Sequence, residues 1–291
     1  MPELPEVQTT VDDLKNRVKN RIIVNVWTDT PQIIKRPHLK DFIKNIKNKK
    51  IEKIWRRGKN IIIDLSSGYS LLIHQKLTGH LLFGKWEKRN NKWLPLGGGE
   101  LAEPVNSFIH FILFLDNGQM VALSDARKFA KVELWKKEEL VSVLQELGPE
   151  PLEKKFTFEK FKERLRGKKG NIKEVLMDQK VIAGIGNIYS SEALWHSRIH
   201  PLTKVKDLSE QELKNLYKAI KEVLKKGIKL KGESFSDYRR PDGSKGEFEI
   251  ERRVYQREGE KCVRCGALIE RLILGQRSAF FCPSCQKRVK K

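Results

Sequence analysis

All four cysteines of the chain lie in its last thirty residues, as Cys262-Val263-Arg264-Cys265 and Cys282-Pro283-Ser284-Cys285, two C-x2-C pairs with sixteen residues between them. Each pair can present two thiolates from one tight turn, and four thiolates close a tetrahedral zinc shell. No ligand position is left open, so the metal implied is structural, one Zn2+ per chain. A segment this short builds little core of its own and depends on the ion to fold. Unligated thiols or a redox pair form the competing reading, which the matched spacing disfavours. Between the pairs, Leu274-Gly275-Gln276-Arg277-Ser278 puts a glycine where two strands would turn. That predicts a rigid hairpin with Arg277 at its tip.

The rest of the chain lacks cysteine, so no disulfide framework is expected. At 291 residues there is room for two domains and a small appendage. Lys and Arg total 59 against 37 Asp and Glu, a formal charge of +22, and 39% of residues are hydrophobic. The chain can therefore bury a core, which excludes a disordered or fibrous class. The excess charge favours a polyanionic partner, although a Lys-rich surface also serves solubility. No window approaches 18 consecutive apolar residues, and the start, Met1-Pro2-Glu3-Leu4-Pro5-Glu6, has no basic-then-apolar run. The expectation is a soluble, cytoplasmic protein with no membrane partner.

Val7, Val11, Leu14 and Val18 form one stripe at helical spacing. This predicts a leading helix that starts after Pro5. From residue 22 to about 135 the pattern changes to short apolar runs separated by turn signals. Asn117-Gly118 between two such runs is a strong hairpin signal. This half reads as antiparallel sheet, a sandwich with one leading helix. The polar stretch 87–106, with Gly97-Gly98-Gly99, reads as a long loop. Gly148-Pro149-Glu150-Pro151 marks a boundary, beyond which helical periodicity appears at 158–165, 172–177, 188–195 and 208–224. Residues 233–246 are polar and read as a mobile surface loop. The expected class is α+β multidomain, divided as 1–135 sheet domain, 136–155 linker, 156–250 helical domain and 251–291 zinc unit.

Three further constellations carry chemistry. Gly184-Ile185-Gly186-Asn187 precedes a helix, and backbone N–H groups at a helix start suit a phosphate oxygen. Asn187 could add a side-chain hydrogen bond, and Lys168, Lys173 and Lys180 nearby favour a DNA backbone site over a plain turn. Pro2 is small enough that Met1 would be removed, exposing an amine of low enough pKa to be nucleophilic near neutral pH. Attack on a sugar C1′ would give an iminium, an electron sink for breaking adjacent C–O bonds, with Glu3 and Glu6 at hand as acid or base. An ordinary Pro-rich start to a helix is the bland alternative. Lys59, in Arg56-Arg57-Gly58-Lys59 at a turn before a strand, could move a proton at a sugar oxygen or contact phosphate. Arg127 and Phe129, two residues apart on one strand face, could enter a duplex together as cation and wedge.

Met1-Pro2-Glu3-Leu4-Pro5-Glu6-Val7, Arg57-Gly58-Lys59, Leu147-Gly148-Pro149-Glu150-Pro151-Leu152, Gly186-Asn187-Ile188-Tyr189 and the four-cysteine finger together resemble the formamidopyrimidine-DNA glycosylases. The match runs in order from first residue to last. The resemblance implies a β-sandwich with a leading helix, a helix–two-turn–helix domain and a zinc finger. It implies a monomeric base excision repair enzyme, bound to damaged double-stranded DNA and so nucleoid-associated when at work. Such an enzyme removes 8-oxoguanine and formamidopyrimidines, then nicks the strand by β,δ-elimination. By carry-over, Pro2 forms the Schiff base, Glu3 is the acid for glycosidic cleavage, Lys59 the donor for β-elimination and Arg277 the donor for δ-elimination. Arg127, Lys168 and Asn187 contact DNA, with Phe129, His110 and Lys173 as further candidates, and residues 233–246 occupy the place of a lesion-capping loop. Family members usually read His-Leu-Gly-Met-Ser-Gly where this chain has His74-Gln75-Lys76-Leu77-Thr78-Gly79. Leu77 thus stands for the Met that fills the void left by the flipped nucleotide. A family DNA-contact His corresponds to Phe108, with His110 close by. Two alternatives remain: a non-catalytic zinc-ribbon DNA-binding protein, and an endonuclease VIII-like glycosylase for oxidised pyrimidines.

Overall fold

Glu3, Pro5 and Glu6 start the first helix, α1 (Leu4–Val18), one residue before Pro5 rather than after it. Glu3 is its N-cap: the Glu3 N–H donates to Glu6 Oε2 at 2.7 Å, and the Glu6 N–H donates to the Glu3 carboxylate. This reciprocal box satisfies donors that a helix start otherwise leaves unpaired. The computed structural model describes residues 1–235 and 237–288. They divide into two compact units, one of Met1–Gln145 with Ile228–Glu249 and one of Glu146–Gly227 with Ile250–Lys291.

In the first unit the chain continues through β1 (Ile22–Thr28), β2 (Ile34–Arg36), α2 (Leu39–Ile46), β3 (Lys49–Arg57), β4 (Asn60–Leu65), β5 (Tyr69–His74) and β6 (His80–Gly84). Next come β7 (Trp86–Arg89), β8 (Lys92–Pro95), β9 (Ile109–Leu115), β10 (Met120–Ser124), β11 (Lys131–Lys136) and α3 (Lys137–Gln145). Nine strands run in the order β2-β11-β5-β4-β3-β1-β9-β10-β6, antiparallel except for β11 against β2. Ile61, Ile63, Leu71 and Ile73 from one half share a single core with Phe111, Leu113, Val121 and Leu123 from the other. The sheet therefore closes over itself as a sandwich, and α1 supplies Val7, Val11, Leu14 and Val18 to that core. Asn117-Gly118 joins β9 and β10 as expected, with Gly118 at φ 73°. The outer face of the β9–β10–β6 half carries a smaller cluster of Leu82, Trp86, Ile109, Ile112 and Ala122, with Trp93 packed against it.

Three stretches differ from their reading in the sequence. Residues 87–106 are not one loop, because β7 and β8 pair as a hairpin there. Trp86 and Trp93 explain it, since each buries an indole that a free loop would leave in water. Lys137–Gln145, inside the stretch assigned to a linker, is the helix α3 and belongs to the first unit. Nor is 233–246 wholly a surface loop, for among its described residues, which leave out 236, Glu233, Ser234, Tyr238 and Arg239 are buried while Phe235 is exposed. Its polar residues find partners: Arg239 pairs with Glu103 at 3.0 Å, Arg240 with Asp13 at 2.9 Å, and Pro241 O accepts from Phe83 N at 2.6 Å.

The second unit holds α4 (Phe158–Leu165), α5 (Ile172–Met177), α6 (Asn187–His196) and α7 (Glu210–Lys229), followed by the hairpin β12 (Glu270–Leu274) and β13 (Arg277–Phe281). Thr157 caps α4 by accepting from Lys160 N at 3.2 Å. Phe156, Phe161 and Tyr217 form an aromatic knot between α4 and α7, with centroids 5.8–6.2 Å apart, closed by Tyr217 OH donating to Phe156 O. The cysteine segment packs on α6 rather than standing alone: Trp195, Val254, Ile269 and Phe280 share one cluster with Cys262 and Cys282.

Candidate active site and nucleic-acid interface

The amino terminus lies among the charges of Glu3, Glu6 and Lys59, with the Met1 residue itself exposed. Burial pushes the Met1 α-amine below its ordinary value of 8.0, a neighbouring Lys59 charge acts the same way, and Glu3 and Glu6 oppose it. Pro2, Glu3 and Lys59 are all buried. Lys59 reaches this place because β3 and β4 form a tight hairpin in which Arg57 pairs with Asn60, leaving only Gly58 and Lys59 in the turn. Gly58 takes φ 57°, and its carbonyl accepts from Arg56 Nη1 at 2.9 Å. The structure thus brings Pro2, Glu3 and Lys59 together as the sequence suggested.

Glu6 has a different task from the acid or base considered for it. Its Oε2 accepts from Glu3 N and its Oε1 from Glu233 N at 2.8 Å, while its backbone carbonyl accepts from Tyr238 OH at 3.1 Å. A buried carboxylate that accepts from these two backbone donors ties the start of α1 to the backbone at Glu233. Gly232 approaches it so closely that a Cβ there would sit 2.8 Å from Glu6 Oε1. This clamp was not legible, because Glu6 and Glu233 are 227 residues apart.

A second group of candidates lies on three loops of the same unit. Leu77, Phe108 and Phe129 are 40%, 44% and 52% exposed, unusual for apolar side chains of this size. Asp125 ties the loops together: it accepts from Thr78 Oγ1 and from Ala130 N, and its own N–H donates to Phe108 O at 2.8 Å. Arg127 and Phe129 lie in this loop between β10 and β11, not on a strand, and the Arg127 guanidinium stacks 4.6 Å from the Phe129 ring. Cation and ring therefore present one surface, although the backbone does not alternate as a strand would. His110 is paired through Nδ1, 2.8 Å from Asp29 Oδ1, with its side chain 12% exposed.

In the second unit, Lys168 is exposed after α4, whereas Lys173 is fully buried on α5. Lys173 Nζ donates to Asn187 O, Ser190 Oγ and Ser191 Oγ at 3.1, 3.2 and 2.6 Å. A direct phosphate contact by Lys173 is thus replaced by an internal one: it holds the first turn of α6. Asn187 opens that helix after Gly186, and its Oδ1 is buried with no partner. Gly275 and Gln276 take φ 49° and 63°, the two positive values of a two-residue hairpin turn, and put Arg277 at the tip opposite Leu274. There Arg277 Nη1 lies 3.5 Å from Met177 Sδ. Glu192 is a residue that the sequence gave no reason to single out. It is wholly buried on α6 and accepts from the backbone N–H groups of Arg253, Val254 and Tyr255 at 2.8–3.1 Å. Burial pushes its pKa up, against the pull of those three donors.

The Sγ atoms of Cys262, Cys265, Cys282 and Cys285 all lie within 4.8 Å of one another. Zn–S bonds of about 2.3 Å in a tetrahedron separate sulfurs by about 3.8 Å, so one zinc ion fits among them. Cys262–Cys285 and Cys265–Cys282 stand 3.9 and 3.4 Å apart. With four protein ligands such an ion would cross-link the segment and take no part in chemistry.

Comparison with known proteins matches three family models in order: the formamidopyrimidine-DNA glycosylase N-terminal domain over residues 1–132, its H2TH domain over 147–239, and the zinc finger found in FPG and IleRS over 259–288. The formamidopyrimidine-DNA glycosylase of Desulforamulus reducens is 36% identical over 290 residues, covering 99% of both chains. The chain belongs to this family. That of Chloroflexus aurantiacus is 39% identical and covers 98% of both chains. Among solved structures, a complex between the Lactococcus lactis Fpg and an abasic site containing DNA aligns with TM-score 0.86 at 31% identity, over 98% of this chain and all of that one. A wild-type L. lactis Fpg complex with N7-benzyl-Fapy-dG containing DNA aligns equally well, over 99% of this chain. Among the described residues, no helix is long and apolar enough to cross a membrane.

Proposed function

We propose that this protein is a bifunctional DNA glycosylase and abasic-site lyase that excises oxidised purines from double-stranded DNA and nicks the strand by β,δ-elimination. The observation that carries the reading is the burial of Pro2 and Glu3 at the amino terminus and of Lys59, whose charge acts on that terminus, in a chain whose family members are named for this glycosylase activity. In the mature enzyme Met1 is removed and the Pro2 nitrogen becomes a secondary amine. Its lone pair forms a bond to the sugar C1′ while the glycosidic bond breaks, its electrons leaving on the base, which Glu3 protonates. The C1′–O4′ bond then breaks, its electron pair and a proton going to O4′, and the opened sugar is left as an iminium. That cation draws electrons from C2′, so that a proton is lost there and the 3′ C–O bond breaks with its electron pair leaving on the phosphate oxygen, Lys59 supplying a proton. Arg277 assists the second elimination. An α-amine has an ordinary pKa of about 8, well below that of a Lys side chain, so a useful fraction of such a nucleophile is unprotonated near neutral pH.

DNA is gripped by cations of both units, Arg127 in one and Lys168 with the Asn187 helix start in the other. Leu77 and Phe129, exposed apolar side chains on adjoining loops, fill the stack when the damaged nucleotide is extruded, offsetting an unstacking cost of a few kcal/mol. The 233–246 segment adjoins the Glu6 clamp and serves as the cover for the extruded base. The enzyme works as a monomer in the cell interior. Borohydride added during turnover of 8-oxoguanine duplex DNA reduces the iminium, and the expected result is a covalent adduct on Pro2 located by mass spectrometry. An active preparation with Met1 removed that gives no adduct would overturn the reading. DNA binding without any cleavage would leave the non-catalytic zinc-ribbon protein.

A further inference from the structure

Gln75 is 1% exposed, and neither its Oε1 nor its Nε2 has a hydrogen-bond partner. Among the described residues it is the one side chain whose donor and acceptor atoms are both buried and both unsatisfied. Such an amide costs stability unless something meets it.

The position of Gln75 says where its partner would come from. β4 and β5 pair Ile61 with Ile73 and Asn60 with His74, which sets Gln75 beside the Gly58–Lys59 turn just past the ladder's end. Leu71 and Ile73 point into the sandwich core, as do Ile61 and Ile63. Period-two alternation sends Gln75 to that same side, where α1 packs. The start of α1 carries Glu3 and Glu6. The backbone is held there too: Gln75 O accepts from Gly79 N at 3.1 Å, and a Cβ on Gly79 would lie 2.4 Å from that oxygen. Leu77, the void-filling candidate, is inside the same turn.

A carboxamide is neutral and offers one acceptor beside one donor face. It is a poor match for a phosphate, and Lys59 already supplies the cation. Its complement is a neutral edge with a donor beside an acceptor. 8-Oxoguanine has that edge, with N7–H next to C8=O, and the formamide of a ring-opened purine keeps an N–H beside a C=O. Unmodified guanine presents only the N7 acceptor and a C–H. Resting on the glycosylase reading above, we infer that Gln75 is a specificity-determining residue whose carboxamide reads the oxidised imidazole edge of the extruded purine.

The test compares wild type with Gln75→Leu on two duplexes, one holding 8-oxoguanine and one a preformed abasic site, under single-turnover conditions. Gln75→Leu is expected to melt at the same temperature or higher, because an unsatisfied amide is gone. Its 8-oxoguanine excision should fall by about tenfold or more, the loss that one missing hydrogen-bonding group brings. Cleavage of the abasic duplex, which has no base to read, should be unchanged. Equal excision by both proteins would mean that the amide meets only a buried water, and the inference fails. A parallel fall on the abasic duplex would assign Gln75 to the sugar or to Lys59, and it fails again. If wild type itself leaves the abasic duplex uncut, the lyase reading is what falls. Gln75→Met is the second variant should leucine not fold, and the same ratio of the two rates decides.

Discussion

Glu3 and Glu6 sit three residues apart at the start of one helix and carry different burdens. Glu3 is proposed to face the chemistry; Glu6 spends its carboxylate on two backbone donors, Glu3 N and Glu233 N. Replacing Glu6 by Ala removes both acceptors in a buried place, at about 1–3 kcal/mol for each. Glu6→Ala is therefore expected to lose roughly 2–6 kcal/mol in urea unfolding. Glu6→Gln, which keeps one acceptor oxygen, should lose clearly less, and equal losses would refute the clamp. The resemblance assigns Glu3 the acid's role, and as a candidate Glu3 was legible in the sequence, standing next to Pro2. The Glu6 role was not, since its partner comes from the far end of the chain.

At the scale of elements, the turn between β5 and β6 is tied at its far end by His80. This ring is buried against Asn106 Oδ1, 2.9 Å from its Nε2, and burial pushes its pKa from 6.5 down to about 4. His74, at the near end, is pushed down by burial to about 3, with the Lys76 charge next in effect. A His whose folded pKa is depressed lends stability that is complete above the unfolded value and is lost as pH falls towards the folded one. The melting temperature is thus expected to drop as pH is lowered from 6.5 to 4, with a contribution from His80 on the order of 3 kcal/mol. His80→Gln should flatten that dependence in a thermal scan, and an unaltered slope would sink the assignment. Elements whose signal is local were readable: α4 and α5 fall at the residues their periodicity marks, and Asn117-Gly118 turns as it should. The β7–β8 hairpin was hidden because polar residues and three consecutive glycines mask the two indoles that hold it.

Taken as a whole molecule, the second unit depends on a segment that carries very little core. Trp195 of α6 packs with Cys262, Cys282 and Phe280, and Arg264 stacks 3.8 Å over its ring. Loss of zinc should therefore disorder more than the finger. Treatment with a strong chelator is expected to release one zinc per chain, lower near-UV ellipticity from the Trp195 region and abolish DNA binding, with recovery on adding Zn2+. Retained DNA affinity in a metal-free sample would contradict this dependence.

The sequence by itself determined what is carried by residue identity and short spacing. The four thiolates, the amine-bearing start with its carboxylates, the Gly275 turn beneath Arg277 and the succession of sheet, helices and finger all rest on atoms within a few residues of one another. Tertiary structure alone decided which polar groups are consumed internally and which stay available. Lys173 looked like a phosphate contact until its ammonium proved to hold α6. Gln75 stood in the sequence only as a departure from the motif, and the structure shows both of its amide atoms buried without partners. The physical reason is desolvation: a charge or amide takes on a role according to what replaces its water, and that replacement is set by segments far away in the chain.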